Sequence, residues 1–199
     1  MTELGEAPDI IREVHHQVKN TLQVVCSLLR LEGRAVADPS MQKLIRRSEG
    51  RVQAMSLVYD TLYKAGVFLE VPLDRYVEGL AGQIVRGWVG AGHHLAVEYK
   101  LEPVIVSTKV AISCGLILNE LLNSLRGNLG GSTLRVDVGV LNRGVFLEVA
   151  IDLPEADRSE TEGISEQIIQ ALSRQYGGRV VRETAEWLRY RVELPVLGD

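Results

Sequence analysis

Two adjacent histidines stand in the run Glu13-Val14-His15-His16-Gln17-Val18-Lys19-Asn20-Thr21-Leu22. Imidazole is the side chain best suited to taking up a proton or a phosphoryl group near neutral pH. Ile11, Val14, Val18, Leu22, Val25 and Leu29 recur around it at helical spacing, so the segment reads as an amphipathic helix. At about 100° per residue, His16 points about 150° away from that stripe and His15 lies within about 60° of it. His15 therefore reads as a packed, hydrogen-bonded histidine on the flank. His16 faces solvent, one turn before Asn20 and on the polar surface that also carries Arg12, Lys19 and Gln23. An exposed, neutral imidazole has a ring nitrogen able to attack phosphorus. On spacing alone, a solvated surface residue is the ordinary reading of one exposed histidine.

Other residues with chemical potential lie further along. Glu120 sits in Leu116-Ile117-Leu118-Asn119-Glu120-Leu121, inside a helical pattern, and Asp152 follows an alternating apolar segment. His93-His94 lies in a glycine-rich stretch with no further ligands in view, so it reads as a surface pair and not a metal site. Cys26 and Cys114 fall within helical apolar patterns without metal-ligand spacing and read as reduced core residues. Trp88 and Trp187 read as packing residues, and Arg46-Arg47 as a solvated helix face.

The elements that must position these residues fall into two groups. Four of the 19 glycines occur up to Gly66 and fifteen after it, which marks a change of architecture there. Before it, Gly33 can end one helix, and Asp38-Pro39 can cap and start another whose seam is Met41, Ile45, Ser48, Val52, Met55, Tyr59 and Leu62. Two helices of roughly 25 residues bury little by themselves and are expected to dimerise into a four-helix bundle. After Gly66 the sequence predicts helices at Leu73–Ile84, Thr108–Arg126 and Ile164–Tyr176, the last stopped by Gly177-Gly178. Alternation predicts a strand at Leu95–Tyr99, a hairpin of Leu134–Val140 with Val145–Ile151, and strands near Arg179–Arg182 and Trp187–Leu194. The expected fold is α+β: a helical hairpin over residues 1–66, then an α/β sandwich over 67–199 with helices on one face of the sheet.

Composition sets outer limits. The chain has 199 residues and a formal net charge of -4, with 26 acidic against 22 basic side chains, which argues against a nucleic-acid surface as its main function. No apolar run approaches the roughly 20 residues of a membrane span. The acidic start, Met1 to Asp9, has no signal-like segment, so a cytoplasmic protein is expected.

The string HHQVKNTLQVVCSLLRL resembles the phosphoacceptor helix of two-component histidine kinases with the signature HHRVKNNLQ. The resemblance covers the hairpin, and Leu116–Leu121 is similar to the helix that opens the Bergerat-type ATPase lobe of those kinases. It implies that His16 is the phosphoacceptor, that Asn20 influences transfer and dephosphorylation, and that Lys19 belongs to the same site. Gln17 departs from the family's usual charged residue. In the ATPase lobe the family pattern is degenerate. Glu120 matches the polarising carboxylate, but Ser124 stands where a Mg²⁺-binding asparagine belongs, and Asn123 comes one residue early. Asp152 matches the adenine-binding aspartate, yet Asp152-Leu153-Pro154-Glu155-Ala156 lacks the glycines of Asp-x-Gly-x-Gly. Gly163-Ile164-Ser165-Glu166 has lost a phosphate-cradling glycine and, with Glu155, Asp157, Glu160 and Glu162, adds carboxylates that repel a triphosphate.

The expectation is a histidine phosphotransfer protein that relays a phosphoryl group between aspartyl-phosphate receiver domains through His16. It would act as a homodimer, with no cofactor of its own and with Mg²⁺ on the receiver. Glu120 and Asp152 would be remnants. The alternatives are a divergent ATP-dependent histidine kinase and a non-catalytic dimeric regulator. No sensor segment is legible, so input is expected from a partner.

Overall fold

The computed structural model describes residues 6–65, 70–89, 95–125, 131–142, 144–153, 164–175 and 177–195. The chain divides into two compact units, Met1–Val71 and Pro72–Asp199. The expected boundary at Gly66 lies outside the described residues, as do His93-His94, Pro154 and the acidic residues between Asp152 and α5.

In the first unit, α1 (Glu6–Ala35) and α2 (Pro39–Ala65) form an antiparallel hairpin. Asp38 caps α2, its Oδ1 accepting from the Ser40 amide at 2.7 Å and the Met41 amide at 3.4 Å, with Pro39 in the first helical position. Gly33 does not end α1, which continues to Ala35. Its role is close approach: a Cβ there would lie 3.2 Å from Ile45 Cγ2. The face of α1 turned to α2 is also rotated from the expected stripe. It carries His15, Val18, Lys19, Leu22, Cys26 and Gly33, whereas Val14 and Val25 are 49% and 37% exposed. The apolar arc of α1 is wider than a single partner helix covers. In α2, Ala54, Val58 and Leu62 are fully buried, and Met41 is exposed.

The division falls within β1 (Glu70–Pro72), and the second unit holds α3 (Leu73–Val89), β2 (Leu95–Leu101), β3 (Ile105–Ser107), α4 (Thr108–Ser124), β4 (Ser132–Leu141), β5 (Gly144–Ile151), α5 (Ile164–Gln175), β6 (Arg179–Thr184) and β7 (Leu188–Pro195). Five strands form a mixed sheet in the order β2-β4-β5-β7-β6. The β2–β4 pair is parallel, and the other pairs are antiparallel. Register places Val136 opposite Val149 and Val149 opposite Tyr190, so one face presents a continuous row of buried side chains. α4 lies between α3 and α5 on that face, with Ile117, Leu118, Leu121 and Leu122 fully buried. α5 ends as predicted: the Gly178 amide donates to the Ser173 carbonyl at 2.8 Å, and Gly177 takes a φ of 67°, which favours glycine. Both cysteines are buried and unpaired, as expected.

The opposite face of the sheet is ionic. Arg135 pairs with Glu98 at 2.8 Å, and Arg191 and Arg189 reach Glu148 at 2.7 and 3.2 Å. Trp187 belongs to this face, with the Arg135 guanidinium 4.8 Å from its ring centre. Asp137 lies directly opposite Glu148, and one of its carboxylate oxygens is buried with no hydrogen-bond partner among the described residues. Burial, then the Glu148 charge, pushes the Asp137 pKa up, against the opposing pull of Arg135, Lys100 and Arg191. An acid whose pKa is raised on folding costs stability when ionised. Asp137→Asn should therefore stabilise the protein at pH 7 by about a few tenths of a kcal/mol, the scale of wet charge pairs. The gain should disappear as the pH falls below the usual carboxylate range, as read by urea unfolding at both pH values.

Candidate functional site

His16 is exposed on α1, and its immediate neighbours come from both helices. Asn20, one turn on, places Nδ2 3.4 Å from His16 Nδ1. In this arrangement Nδ2–H donates to Nδ1 and the ring proton sits on Nε2, whereas a half-turn of the carboxamide exchanges its nitrogen for its oxygen and reverses the tautomer. With the Asn20 oxygen facing the ring, Nδ1–H donates to it and Nε2 keeps the lone pair. From α2, the Tyr63 ring centre lies 5.9 Å from that of His16, tilted by 40°.

Lys19 is not on the open polar surface. Its Nζ pairs with Asp60 Oδ1 across the hairpin at 2.7 Å, with both side chains about four-fifths covered, and lies 5.9 Å from the Tyr63 ring centre. Gln17 is turned the other way, its Nε2 donating to Glu13 Oε1 at 3.1 Å, so it supplies no base beside His16. The site thus brings together His16, Asn20 and Lys19 from the sequence reading and adds Tyr63 and Asp60, which that reading missed. Folding the sequence back at the turn between α1 and α2, with Gly33 against Ile45, already sets His16 opposite the end of α2.

His15 differs in every respect. It is buried, edge-on to Tyr59 with ring centres 5.7 Å apart, and burial lowers its pKa. A histidine with a lowered folded pKa stabilises fully above its unfolded value. That contribution is lost as the pH falls through about 6.5 toward the folded value. His15→Phe keeps an aromatic ring against Tyr59 and should remove this part of the acid sensitivity, a slope of at most about one proton in unfolding free energy against pH.

The lobe residues predicted for nucleotide chemistry are placed as follows. Glu120 is fully buried in α4, and Asn119 is 2% exposed. Asn123 Nδ2 donates to the Asn119 carbonyl and to Asn119 Oδ1, at 2.8 and 3.1 Å. Ser124 Oγ donates to the Leu121 carbonyl at 2.7 Å. Asp152 accepts from the Thr133 amide through its carboxylate, which ties the end of β5 to β4. Among the described residues no group of three or more His, Cys, Asp or Glu side chains is arranged to hold a metal ion. The side chains of Ser165 and Glu166 lie outside the described set. No helix among the described residues is long and apolar enough to cross a membrane.

The hairpin presents an exposed histidine, and the lobe that follows it in sequence carries a mixed sheet under three helices. Residues 13–88 match the HisKA_2 histidine kinase family. Among curated proteins, the chain is similar to the sensor histidine kinase PdtaS of Mycolicibacterium smegmatis, at 43% identity over 68 residues, 34% of this chain and 13% of that protein. It is likewise 40% identical over 68 residues to PdtaS of Mycobacterium tuberculosis, again spanning 34% of this chain and 13% of the relative. The matched part is thus a small share of those proteins. In fold, the chain is similar to the histidine kinase domain of the Erythrobacter litoralis blue-light activated histidine kinase EL346, with a TM-score of 0.63 at 18% identity, covering 96% of this chain and 94% of that one.

Proposed function

We propose that the protein is a histidine phosphotransfer component, in which His16 accepts a phosphoryl group from the aspartyl phosphate of a receiver domain and returns it to another, without ATP. The observation that carries this reading is the exposed His16 imidazole, engaged by Asn20 on its Nδ1 side, within the segment that matches the histidine kinase family. In the transfer, the Nε2 lone pair forms the N–P bond as the P–O bond to the aspartate breaks, and the carboxylate stays on the receiver. The receiver would bring its own Mg²⁺, so the hairpin needs only to present an in-line nucleophile on a rigid helix.

ATP independence is supported by the environment of α4. Ser124, in place of the Mg²⁺-binding asparagine, donates its hydroxyl to the Leu121 carbonyl, and Asn123 is held one turn back to Asn119 through its Nδ2. A second reading, an ATP-dependent kinase, is favoured by the presence of Glu120 and Asp152 in the lobe and by a fold likeness that extends over 96% of the chain. The discriminating experiment offers label from two donors, a phosphorylated receiver and γ-labelled ATP with Mg²⁺. Transfer from the receiver alone is expected. Labelling from ATP at a comparable rate would overturn the relay in favour of the kinase.

The partners in this proposal are receiver domains and a second copy of the chain, in the cytoplasm, where the two cysteines stay reduced. Ile10, Val14, Val24, Leu28 and Leu31 of α1 are 49% to 61% exposed, two apolar patches at steps of three or four, ten residues apart, that a four-helix bundle would cover. A dimer is expected in sedimentation at micromolar concentration, and a stable monomer would refute the bundle.

A further inference from the structure

We propose that Tyr63, on α2, is a positioning residue that holds the His16 imidazole in its attacking orientation, a role that rests on the phosphoacceptor reading of His16. Tyr63 is 45% exposed, so core packing does not account for an aromatic side chain there. Its ring is set against the two α1 residues that flank the site, His16 at 5.9 Å and Lys19 Nζ at 5.9 Å from its centre. Lys19 is fixed in turn by Asp60, which precedes Tyr63 by just under one turn of α2. The Lys19–Asp60 pair thus joins the helices at this level and neutralises Lys19.

An exposed histidine on a helix otherwise exchanges among staggered rotamers. Here Asn20 engages the Nδ1 edge of the ring, and the Tyr63 ring lies beside it, 5.9 Å away between centres and tilted by 40°. A single preset rotamer removes the orientational search that in-line attack would need, and small misplacements of a nucleophile cost large factors in rate. The role belongs to the ring and not to the phenol, since the recorded contact is between rings.

The test uses the full chain with Tyr63→Ala and Tyr63→Phe, and two readouts. One is the receiver-to-protein transfer rate. The other is the set of three-bond NMR couplings that report His16 χ1 without any phosphorylation. Tyr63→Ala should slow transfer about tenfold and average the couplings. Tyr63→Phe should keep the rate within about twofold and the couplings of the wild type. Wild-type transfer by Tyr63→Ala, averaged couplings in the unsubstituted protein, or Tyr63→Phe as slow as Tyr63→Ala would each overturn the proposal. If the unsubstituted protein takes no label on His16 from any donor, the phosphoacceptor reading itself has failed. That result is separate from a labelled protein indifferent to Tyr63.

Discussion

Gly115→Ala should destabilise the lobe by about 3 kcal/mol or more, the upper range for overpacking a core. Gly115 is buried in α4, and the Tyr76 ring of α3 lies directly over it. A Cβ at this position would overlap Tyr76 Oη and stand 2.6 Å from Cζ and 3.0 Å from Cε1. The obstacle is a rigid aromatic ring and not the end of a flexible chain. Tyr76 is itself fully buried, and burial drives its phenol pKa well up, so moving the ring aside disturbs the helix pair. Alanine's better helix propensity returns only about 1 kcal/mol. Gly87→Ala is the matched control, because Gly87 is exposed in α3 and a Cβ there meets nothing within 4 Å. It should stabilise by roughly 0.5–1 kcal/mol. Urea unfolding of both variants checks the pair, and a Gly115→Ala protein as stable as the parent would contradict the packing described.

The contrast between these glycines shows what sequence patterns reveal and what they conceal. Alternation located β4 and β5 and their buried face, because a half-buried antiparallel strand repeats every two residues. Asp38-Pro39 announced the start of α2 through local hydrogen bonding, which needs no tertiary partner. Gly33 and Gly115 carry no such local sign, since their meaning lies in Ile45 and Tyr76, residues distant in the chain. β1 and β3, at three residues each, are too short to show a period. The parallel direction of β2 against β4 is set by the crossover through α4, not by alternation within either strand.

At the candidate site, the helical wheel separated a buried His15 from an exposed His16. It misplaced the centre of the seam, because α1 carries more apolar surface than α2 covers and periodicity does not say how that arc is shared. The rotation explains why Lys19 faces Asp60 and why His16 reaches Tyr63. Both contacts join residues more than forty positions apart in sequence, so no local spacing could have indicated them.

His16→Ala should reduce transfer of label to the protein by at least about a thousandfold, since the acceptor atom of the covalent step is gone. The fold should survive, because His16 is exposed and its recorded neighbours Asn20 and Tyr63 are themselves exposed. His15→Ala should do the opposite. It leaves the nucleophile in place and costs stability through the lost packing against Tyr59, while a ring only 9% exposed offers no approach to a phosphorus held on another protein. Acid-labile, base-stable phosphate measured on both variants, with circular dichroism as a check on folding, distinguishes them. Equal labelling of His16→Ala and the parent would place the acceptor elsewhere. This result is indifferent to whether the donor is a receiver or ATP, because both routes end on the same nitrogen. It therefore fixes the identity of the acceptor before the donor is known, and the two-donor experiment then asks only where the phosphorus came from.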